Sequence, residues 1–401
     1  MSGFDTGRLA RIEGWMQGYV DARRYPGCAV LIARDGREAF YRECGLRDLA
    51  GGKPWRRDTV ARIYSMTKPI TSAALMILVE RGLVHLDRPV SDFIPAFADA
   101  RCLVAGATDI GQTQPCAPPT LHQLLTHTSG LSYSFNPGLV PIAMAEQKLD
   151  FSPGRRTAEE VAEAVARLPL VFAPGARWEY SVGIDIVGRV IEIVSGQTLD
   201  VFLAEEILGP LGMDDTRFTV REGSRDRFAS LYTSLAGDSF DLNRATKRAE
   251  TLRQVDDAVD SPFFRTAMHS GGGGLAGTID DYLAFAEMLR TGGRGILSPH
   301  TLRFMLRNHL RGDIASMGPS SFAEQPMDGI GFGIGGAVVL DPARARVPGS
   351  AGDFAWGGMA STFFWVDPVN ALSVIFFTQL APSSSYPSRS ELKALVHGAL
   401  T

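Results

Sequence analysis

The sequence has few features that would place the protein outside ordinary globular folds. Only four of its 401 residues are cysteines, too few for a disulfide framework. Its formal net charge is −4, so it has no excess of basic residues for nucleic acid or an acidic membrane surface. Its apolar runs are too short and too interrupted to span a bilayer. We therefore expect a globular cytoplasmic protein with neither nucleic acid nor membrane as a partner, while the oligomeric state is left open.

The N-terminus lacks the apolar central region of a secretory signal, and "MSGFDTGRLARIEGWMQGYV" predicts an amphipathic helix instead. Cys28 and Cys44 flank a predicted hairpin and are expected to be buried thiols. Cys102 and Cys116 lie in a loop rich in glycine and proline, where a bridge is one alternative. A reducing compartment favours two free thiols there.

Signatures of metal and dinucleotide sites are also missing. The chain has no H-E-x-x-H, and the five-residue separation of His122 and His127 does not suit one helix face. The segment from Gly272 to Gly277 fits G-x-G-x-x-G, but it lacks a good preceding strand and a later acidic residue. A turn with close packing is the favoured interpretation. We expect no metal and no cofactor.

Strand patterns occur at both ends of the chain. "GCAVLIARDGREAFYRECG" alternates around Asp35-Gly36 and predicts a hairpin. "GIGFGIGGAVVL", "GMASTFFWVDP" and "ALSVIFFTQL" predict late strands before a terminal helix, while the middle of the chain is mainly helical. We predict a mixed α/β (α+β) fold in which residues 1–85 and 275–401 build one sheet domain and residues 86–274 form an inserted helical domain.

Ser65 and Lys68 stand where a long apolar helix pattern, Thr67 to about Glu80, begins. Helix capping would explain the serine. It does not explain the lysine, because a cation in a first turn opposes the helix dipole. Residues three apart share a helix side, so the two side chains can meet, and an amine that loses solvation beside a hydroxyl can act as a base.

Two later segments add groups of matching chemistry. "WEYSVG" places Tyr180 where a loop meets a helix, so that its phenol can face a crevice, although core packing is the alternative. "FAWGGMAS" places Trp356-Gly357-Gly358 at a strand. Glycines there indicate close approach of backbone or ligand, and free N–H groups could bind a carbonyl oxygen as it becomes negative.

In this order and spacing, Ser65-Met66-Thr67-Lys68, Tyr180-Ser181-Val182 and Trp356-Gly357-Gly358 resemble the penicillin-recognising serine enzymes. The closest likeness is to the class C beta-lactamase-like branch and, within it, to the family VIII carboxylesterases. "LHQLLTHTSGLSY", "FAPGARWEYSVGIDIVGRVIE", "ILGPLGMDDT" and "SGGGGLAGTIDDYLAF" are typical of that branch. The resemblance runs from about Tyr25 to the C-terminus.

The resemblance implies a beta-lactamase-like fold, with an antiparallel sheet flanked by helices, and a catalytic set of Ser65, Lys68 and Tyr180. By the same analogy, the backbone N–H groups of Ser65 and Met359 would form an oxyanion hole. Substrate would meet Tyr133, Trp356, Gly357 and Gly358, although plain packing is an alternative for the two aromatic residues. Ser65 would then form an acyl-enzyme.

Two departures from the beta-lactamases bear on the substrate. Val182 replaces the expected asparagine, and Trp356-Gly357-Gly358 replaces Lys-Thr-Gly. Losing a cation and two hydrogen-bonding groups removes a carboxylate anchor, which favours short-chain neutral esters over beta-lactams. The alternatives are a beta-lactamase, a D-amino-acid peptidase or an acyltransferase with the same three residues, and an inactive binding or sensor module.

Overall fold

The computed structural model describes residues 3–150, 154–234 and 252–401. The helices are α1 (Thr6–Leu9), α2 (Arg11–Asp21), α3 (Thr67–Glu80), α4 (Leu121–Leu125), α5 (Leu139–Gln147), α6 (Ala158–Ala166), α7 (Gly183–Ser195), α8 (Leu199–Leu203), α9 (Ile279–Arg290), α10 (Pro299–Met305), α11 (Ile314–Met317), α12 (Pro342–Ala345) and α13 (Ser388–Gly398).

Strands alternate with these helices mainly near the two ends of the chain. They are β1 (Gly27–Arg34), β2 (Arg37–Asp48), β3 (Lys53–Pro54), β4 (Ala61–Arg62), β5 (Arg101–Leu103), β6 (Thr113–Pro115), β7 (Leu231–Thr233), β8 (Arg253–Asp256), β9 (Ala276–Gly277), β10 (Ser321–Phe322), β11 (Gln325–Pro326), β12 (Ile330–Phe332), β13 (Ala337–Val339), β14 (Phe354–Gly357), β15 (Phe363–Asp367), β16 (Leu372–Thr378) and β17 (Leu380–Ala381).

Both ends of the chain build one antiparallel sheet, as predicted. Its order is β12-β13-β14-β15-β16-β1-β2-β3, and the two halves join where β16 pairs with β1. The β1–β2 hairpin turns at Asp35 and Gly36, both with positive φ, which is the turn that the Asp-Gly pair indicates. The predicted mixed fold with an antiparallel sheet is confirmed.

Each face of the sheet is covered by helices with apolar sides. Apolar residues of α1, α2 and α13 share a core with the outer face, including Ile12, Met16, Leu392 and Val396. The inner face packs on α9, and the same large core continues through α3 and α7. Helix α3 is buried along almost its whole length, so any side chain in its first turn lies inside the protein.

The predicted helical region contains α4 to α8 together with short strands, namely the β5–β6 pair and β7 and β8. Residues 151–153 and 235–251 of that region lie outside the described residues. Its division from the sheet as a separate domain stays a proposal. Within the described ranges, no helix is both long and apolar enough to cross a membrane.

The four cysteines carry free thiols. The alternative of a Cys102–Cys116 bridge is therefore not what the structure shows, in keeping with the preference for reduced thiols. Cys28 is buried and Cys44 is half-buried, directly opposite it across β1 and β2, with their sulfur atoms 3.6 Å apart.

Candidate active site

Ser65 lies in a single 3₁₀ turn, Tyr64–Met66, that leads directly into α3. Tyr64, immediately before the serine, has a φ of +41°, an uncommon conformation for a residue with a side chain. The N-cap of α3 is Met66, and no side chain caps the helix. Capping is therefore not what Ser65 does. It is half-buried, and it lines a cleft.

Lys68 is fully buried in the first turn of α3. Its Nζ lies 3.3 Å from Ser65 Oγ, 2.9 Å from the Tyr133 hydroxyl and 2.6 Å from the Gly272 carbonyl oxygen. Among the described residues, no carboxylate comes within ion-pair distance of this amine. The contact with Ser65 Oγ places this amine where it can accept the proton of the hydroxyl.

Two tyrosines surround the amine in different ways. Lys68 Nζ lies 4.6 Å from the centre of the Tyr180 ring, and Tyr180 lines the cleft together with Ser65. The Tyr180 hydroxyl makes no hydrogen bond with another described residue, which leaves it available to substrate. Tyr133, expected to line the substrate pocket, instead lies behind Lys68 with its hydroxyl bonded to the amine. Burial, and next the Asp185 charge, raise the pKa of Tyr133.

The Trp356-Gly357-Gly358 segment ends β14 beside the serine turn. A methyl group at Gly358 would overlap the Ile63 carbonyl oxygen and the Thr362 side chain. The absence of a side chain therefore lets this strand end approach the segment that carries Ser65, as the sequence indicated. At Gly357 a side chain would meet only the Arg389 guanidinium, the far end of a flexible side chain, so this glycine is less strictly required than Gly358.

The backbone at the two predicted oxyanion positions carries free donors. The N–H groups of Ser65 and Met359 donate to no other atom of the described residues, and both residues line the same cleft. Backbone N–H groups that lie beside a nucleophile and are left unpaired are suited to bind a developing oxyanion. This role stays a proposal.

The cleft and its solvent-filled mouth together hold about 1060 Å³ of space, and the lining is mainly apolar. Trp356 packs at a tilt against Tyr180 and stacks on Phe322, with ring centres 5.4 and 5.9 Å apart. Phe322 belongs to the β10–β11 hairpin, which forms one side of the cleft. Glu324 at the hairpin turn accepts two hydrogen bonds, of 2.7 and 2.6 Å, from Arg389 of α13.

Several groups near Lys68 were not identified from the sequence. The Gly272 carbonyl lies in the glycine run that was interpreted as a turn with close packing, and this packing is seen, since a side chain at Gly272 would overlap Asp185. Asp185 could have been noticed as an acid in the apolar helix "IDIVGRVIEIV". The pKa of His127, also close by, is lowered by burial and next by the charge of Lys68.

One cluster has the composition of a metal site but is already paired internally. Possible ligand atoms of Asp353, Asp367 and His397 lie within 4.8 Å of one another. Lys393 Nζ lies 2.7 Å from Asp353, and Asn370 Nδ2 donates to Asp367 over 2.7 Å. The cluster therefore resembles a buried charge network that ties α13 to the sheet.

Comparison with known proteins identifies the family of this chain. The Beta-lactamase family model matches residues 12–398. Protein Rv1367c of Mycobacterium tuberculosis is 34% identical over 91% of this chain and 88% of its own length. Esterase EstB of Burkholderia gladioli is 33% identical over 93% of this chain and 90% of its own length.

A solved structure also resembles this chain. EstCE1, described as a hydrolase with promiscuous acyltransferase activity, superposes with a TM-score of 0.79 at 29% identity, covering 98% of this chain and 99% of its own. The fold, the relatives and the resemblance seen in the sequence therefore all indicate the same family. The chain belongs to the Beta-lactamase family and, within it, to the serine hydrolases of the family VIII esterase type.

Proposed function

We propose that this enzyme hydrolyses short-chain carboxylic esters through an acyl-enzyme on Ser65. The observation that carries the proposal is the contact between a fully buried lysine amine and the serine hydroxyl, 3.3 Å apart, at the edge of an apolar cleft. A hydroxyl becomes a useful nucleophile when an adjacent base removes its proton. The likeness to EstB supports the ester as substrate class.

In the first half of the reaction, Ser65 Oγ attacks the ester carbonyl and its proton passes to Lys68 Nζ. The carbonyl oxygen becomes negative and is bound by the N–H groups of Ser65 and Met359. The tetrahedral intermediate then expels the alkoxide, which takes the proton from Lys68 directly or through the Tyr180 hydroxyl. The products are a free alcohol and an acyl-serine.

In the second half, water enters and attacks the acyl carbonyl. Lys68 accepts a proton from the water as the new C–O bond forms, and the second tetrahedral intermediate expels Ser65 Oγ. The proton then returns from Lys68 to Oγ, which restores the starting enzyme and releases the carboxylic acid.

The cleft supports an ester better than a beta-lactam. At the strand beside Ser65, Trp356, Gly357 and Gly358 supply no cationic side chain, and Val182 supplies no amide. Arg389 reaches Gly357, but its guanidinium is already bonded to Glu324. A substrate carboxylate would lose hydration in this apolar cleft without gaining an unpaired cation there, whereas a neutral acyl group would not.

An acyltransferase is the second candidate. It is supported by the structural likeness to EstCE1, a hydrolase with promiscuous acyltransferase activity. The same acyl-enzyme would then be attacked by an alcohol or amine instead of water. A beta-lactamase or D-amino-acid peptidase would need an anchor for a carboxylate, and an inactive sensor module would not need an activated serine.

The test compares hydrolysis of p-nitrophenyl esters of increasing acyl length with hydrolysis of nitrocefin, with and without a competing alcohol. We expect turnover of short esters, little nitrocefin hydrolysis, and mass-spectrometric detection of an acyl group on Ser65. Ester-inactive protein that hydrolyses nitrocefin would identify a beta-lactamase. Protein that resists a fluorophosphonate at Ser65 would support the inactive module. The Ser65→Ala variant is the matched control in each assay.

A further inference from the structure

Asp185 is a buried acid in the first turn of α7, with only 4% of its surface exposed. Its Oδ1 atom accepts hydrogen bonds from the Ser270 hydroxyl and from the Gly272 N–H. A side chain at Gly272 would overlap its Oδ2 atom. The carboxylate therefore holds the 270–272 segment in one position against α7.

The same peptide segment holds Lys68. The Gly272 N–H is bonded to Asp185 over 3.1 Å, and the Gly272 carbonyl oxygen accepts from Lys68 Nζ over 2.6 Å. The Thr71 hydroxyl, one turn later in α3, donates to the Gly271 carbonyl oxygen over 2.9 Å. Asp185 is thus linked to the Lys68 amine through one residue, Gly272. It fixes the orientation of the Gly272 peptide, whose carbonyl oxygen accepts the hydrogen bond from Lys68.

Asp185 is also connected to Lys68 through Tyr133. The Oδ2 atom of Asp185 is buried and has no hydrogen-bond partner among the described residues. The Asp185 charge, second only to burial, raises the pKa of Tyr133, whose hydroxyl accepts from Lys68. The carboxylate therefore lies near the phenol as well as against the glycine segment, and both of these groups contact the Lys68 amine.

Packing alone does not account for this acid. No cation of the described residues lies within ion-pair distance of Asp185, and a buried carboxylate without such a partner destabilises a fold. Burial raises the pKa of Asp185, and the Lys68 charge opposes that rise. Buried acids of this kind concentrate at functional sites.

We propose that Asp185 is a positioning residue for Lys68: it fixes the Gly272 carbonyl and balances the positive charge that Lys68 acquires when it takes the proton of Ser65. This inference rests on the proposed role of Lys68 as the base. The other titratable groups that face this centre are Tyr133, Tyr180, His127 and Asp150. Asp150 is bonded to Ser134 rather than to the glycine segment.

The test is Asp185→Asn, which retains an acceptor for Ser270 and Gly272 but removes the charge. The readout is the pH dependence of the rate at which a fluorophosphonate labels Ser65, with Ser65→Ala as the blank. We expect labelling at the high-pH plateau to fall by less than about tenfold, because the amide oxygen still accepts from Ser270 and Gly272 but makes weaker, uncharged hydrogen bonds. We expect the acidic limb to move to lower pH by about one unit, because a negative charge that favours the protonated site is gone.

Glu287→Gln is the matched control. Glu287 is also a buried carboxylate, but it bonds Arg290 and Ser373 away from the cleft. Its loss should lower thermal stability without moving the limb. If Asp185→Asn does not fold, Asp185→Ser removes the same charge from a smaller side chain, and the limb should move in the same direction.

An Asp185 variant that is folded and keeps the wild-type acidic limb would overturn the inference, even if its thermal stability had fallen. Wild-type protein that is labelled but does not hydrolyse esters would refute the esterase and still allow the Asp185 test, because labelling needs only an activated serine. Wild-type protein that is not labelled would overturn both proposals.

Discussion

Lys68 donates a hydrogen bond from Nζ to the Tyr133 hydroxyl over 2.9 Å, and this phenol is buried behind the amine rather than along the cleft wall. The Lys68 amine thus lies between two buried phenols, of which only Tyr180 lines the cleft together with Ser65. Tyr180 lies with its ring against the amine and lines the cleft. In the proposed mechanism, Tyr180 is therefore the phenol placed to reach the leaving group, and Tyr133 is the one placed to hold the lysine.

We expect Tyr180→Phe to lower kcat/KM for p-nitrophenyl butyrate by about 100- to 10,000-fold, because a group in proton transfer is lost. Tyr133→Phe should lower it less, about tenfold, because the amine keeps its bond to Gly272. Tyr232→Phe is the control: its hydroxyl accepts from the Leu49 N–H over 2.8 Å, outside the cleft. A larger loss for Tyr133→Phe than for Tyr180→Phe would assign proton transfer to Tyr133.

Substitution of the residues proposed as nucleophile and base, Ser65 and Lys68, has a simpler expected result. Ser65→Ala should abolish ester turnover with the fold intact, since the nucleophile is absent, and Lys68→Ala should reduce turnover at least about 1,000-fold. Circular dichroism and thermal unfolding check the fold, and steady-state kinetics check the rate. Retained turnover in Ser65→Ala would reject the nucleophile assignment.

Local patterns are sufficient to predict much of the fold. The Asp35-Gly36 hairpin and the helix from Thr67 to Glu80 can be predicted because turn chemistry and helical spacing are short-range properties. The position of Tyr133 cannot be predicted in this way, because its place after "HTSGL" in the sequence does not indicate which side chain it contacts in the folded protein. The contact of Gly272 with Lys68 cannot be predicted for a related reason. Gly272 accepts the hydrogen bond through its backbone carbonyl, a group that every residue type has.

Gly358 offers a test of the close approach between β14 and the serine turn. We expect Gly358→Ala to reduce kcat/KM by at least about 100-fold, because the new methyl group would overlap the Ile63 carbonyl oxygen and displace the Met359 N–H. Gly18→Ala is the control, since Gly18 lies in α2 with open space around it, and alanine there should stabilise the helix. Full activity in Gly358→Ala would argue against an oxyanion hole at this strand end.

The Glu324–Arg389 pair offers a test of what holds the β10–β11 side of the cleft in place. It joins the β10–β11 hairpin to α13, and both side chains are largely buried, with exposed fractions of 5% and 15%. We expect Arg389→Met to raise KM for short esters about tenfold, with a smaller change in kcat, because Phe322 would no longer be held against Trp356. Arg42→Met breaks the exposed pair with Glu13 and should change neither constant. An unchanged KM in Arg389→Met would show that the hairpin does not depend on this pair.

The network around Asp367 predicts how stability depends on pH. Asp367 is fully buried, and hydrogen bonds from His397, Asn370 and Ser350 hold its pKa well below the usual range in spite of burial. A carboxyl whose pKa is lower in the folded than in the unfolded state adds stability above the unfolded pKa, about 4. That stability is lost as the pH falls through the folded pKa.

We therefore expect Asp367→Asn to lower the free energy of unfolding at pH 7 by about 2–4 kcal/mol, because buried partners lose a charged acceptor. The difference from wild type should narrow below pH 4, where the wild-type carboxyl itself begins to lose its advantage. Urea unfolding at pH 7, 5 and 3 measures this, with Asp226→Asn at an exposed surface pair as the control. A difference that stays constant over this range would mean that packing of the side chain, and not its charge, ties α13 to the sheet.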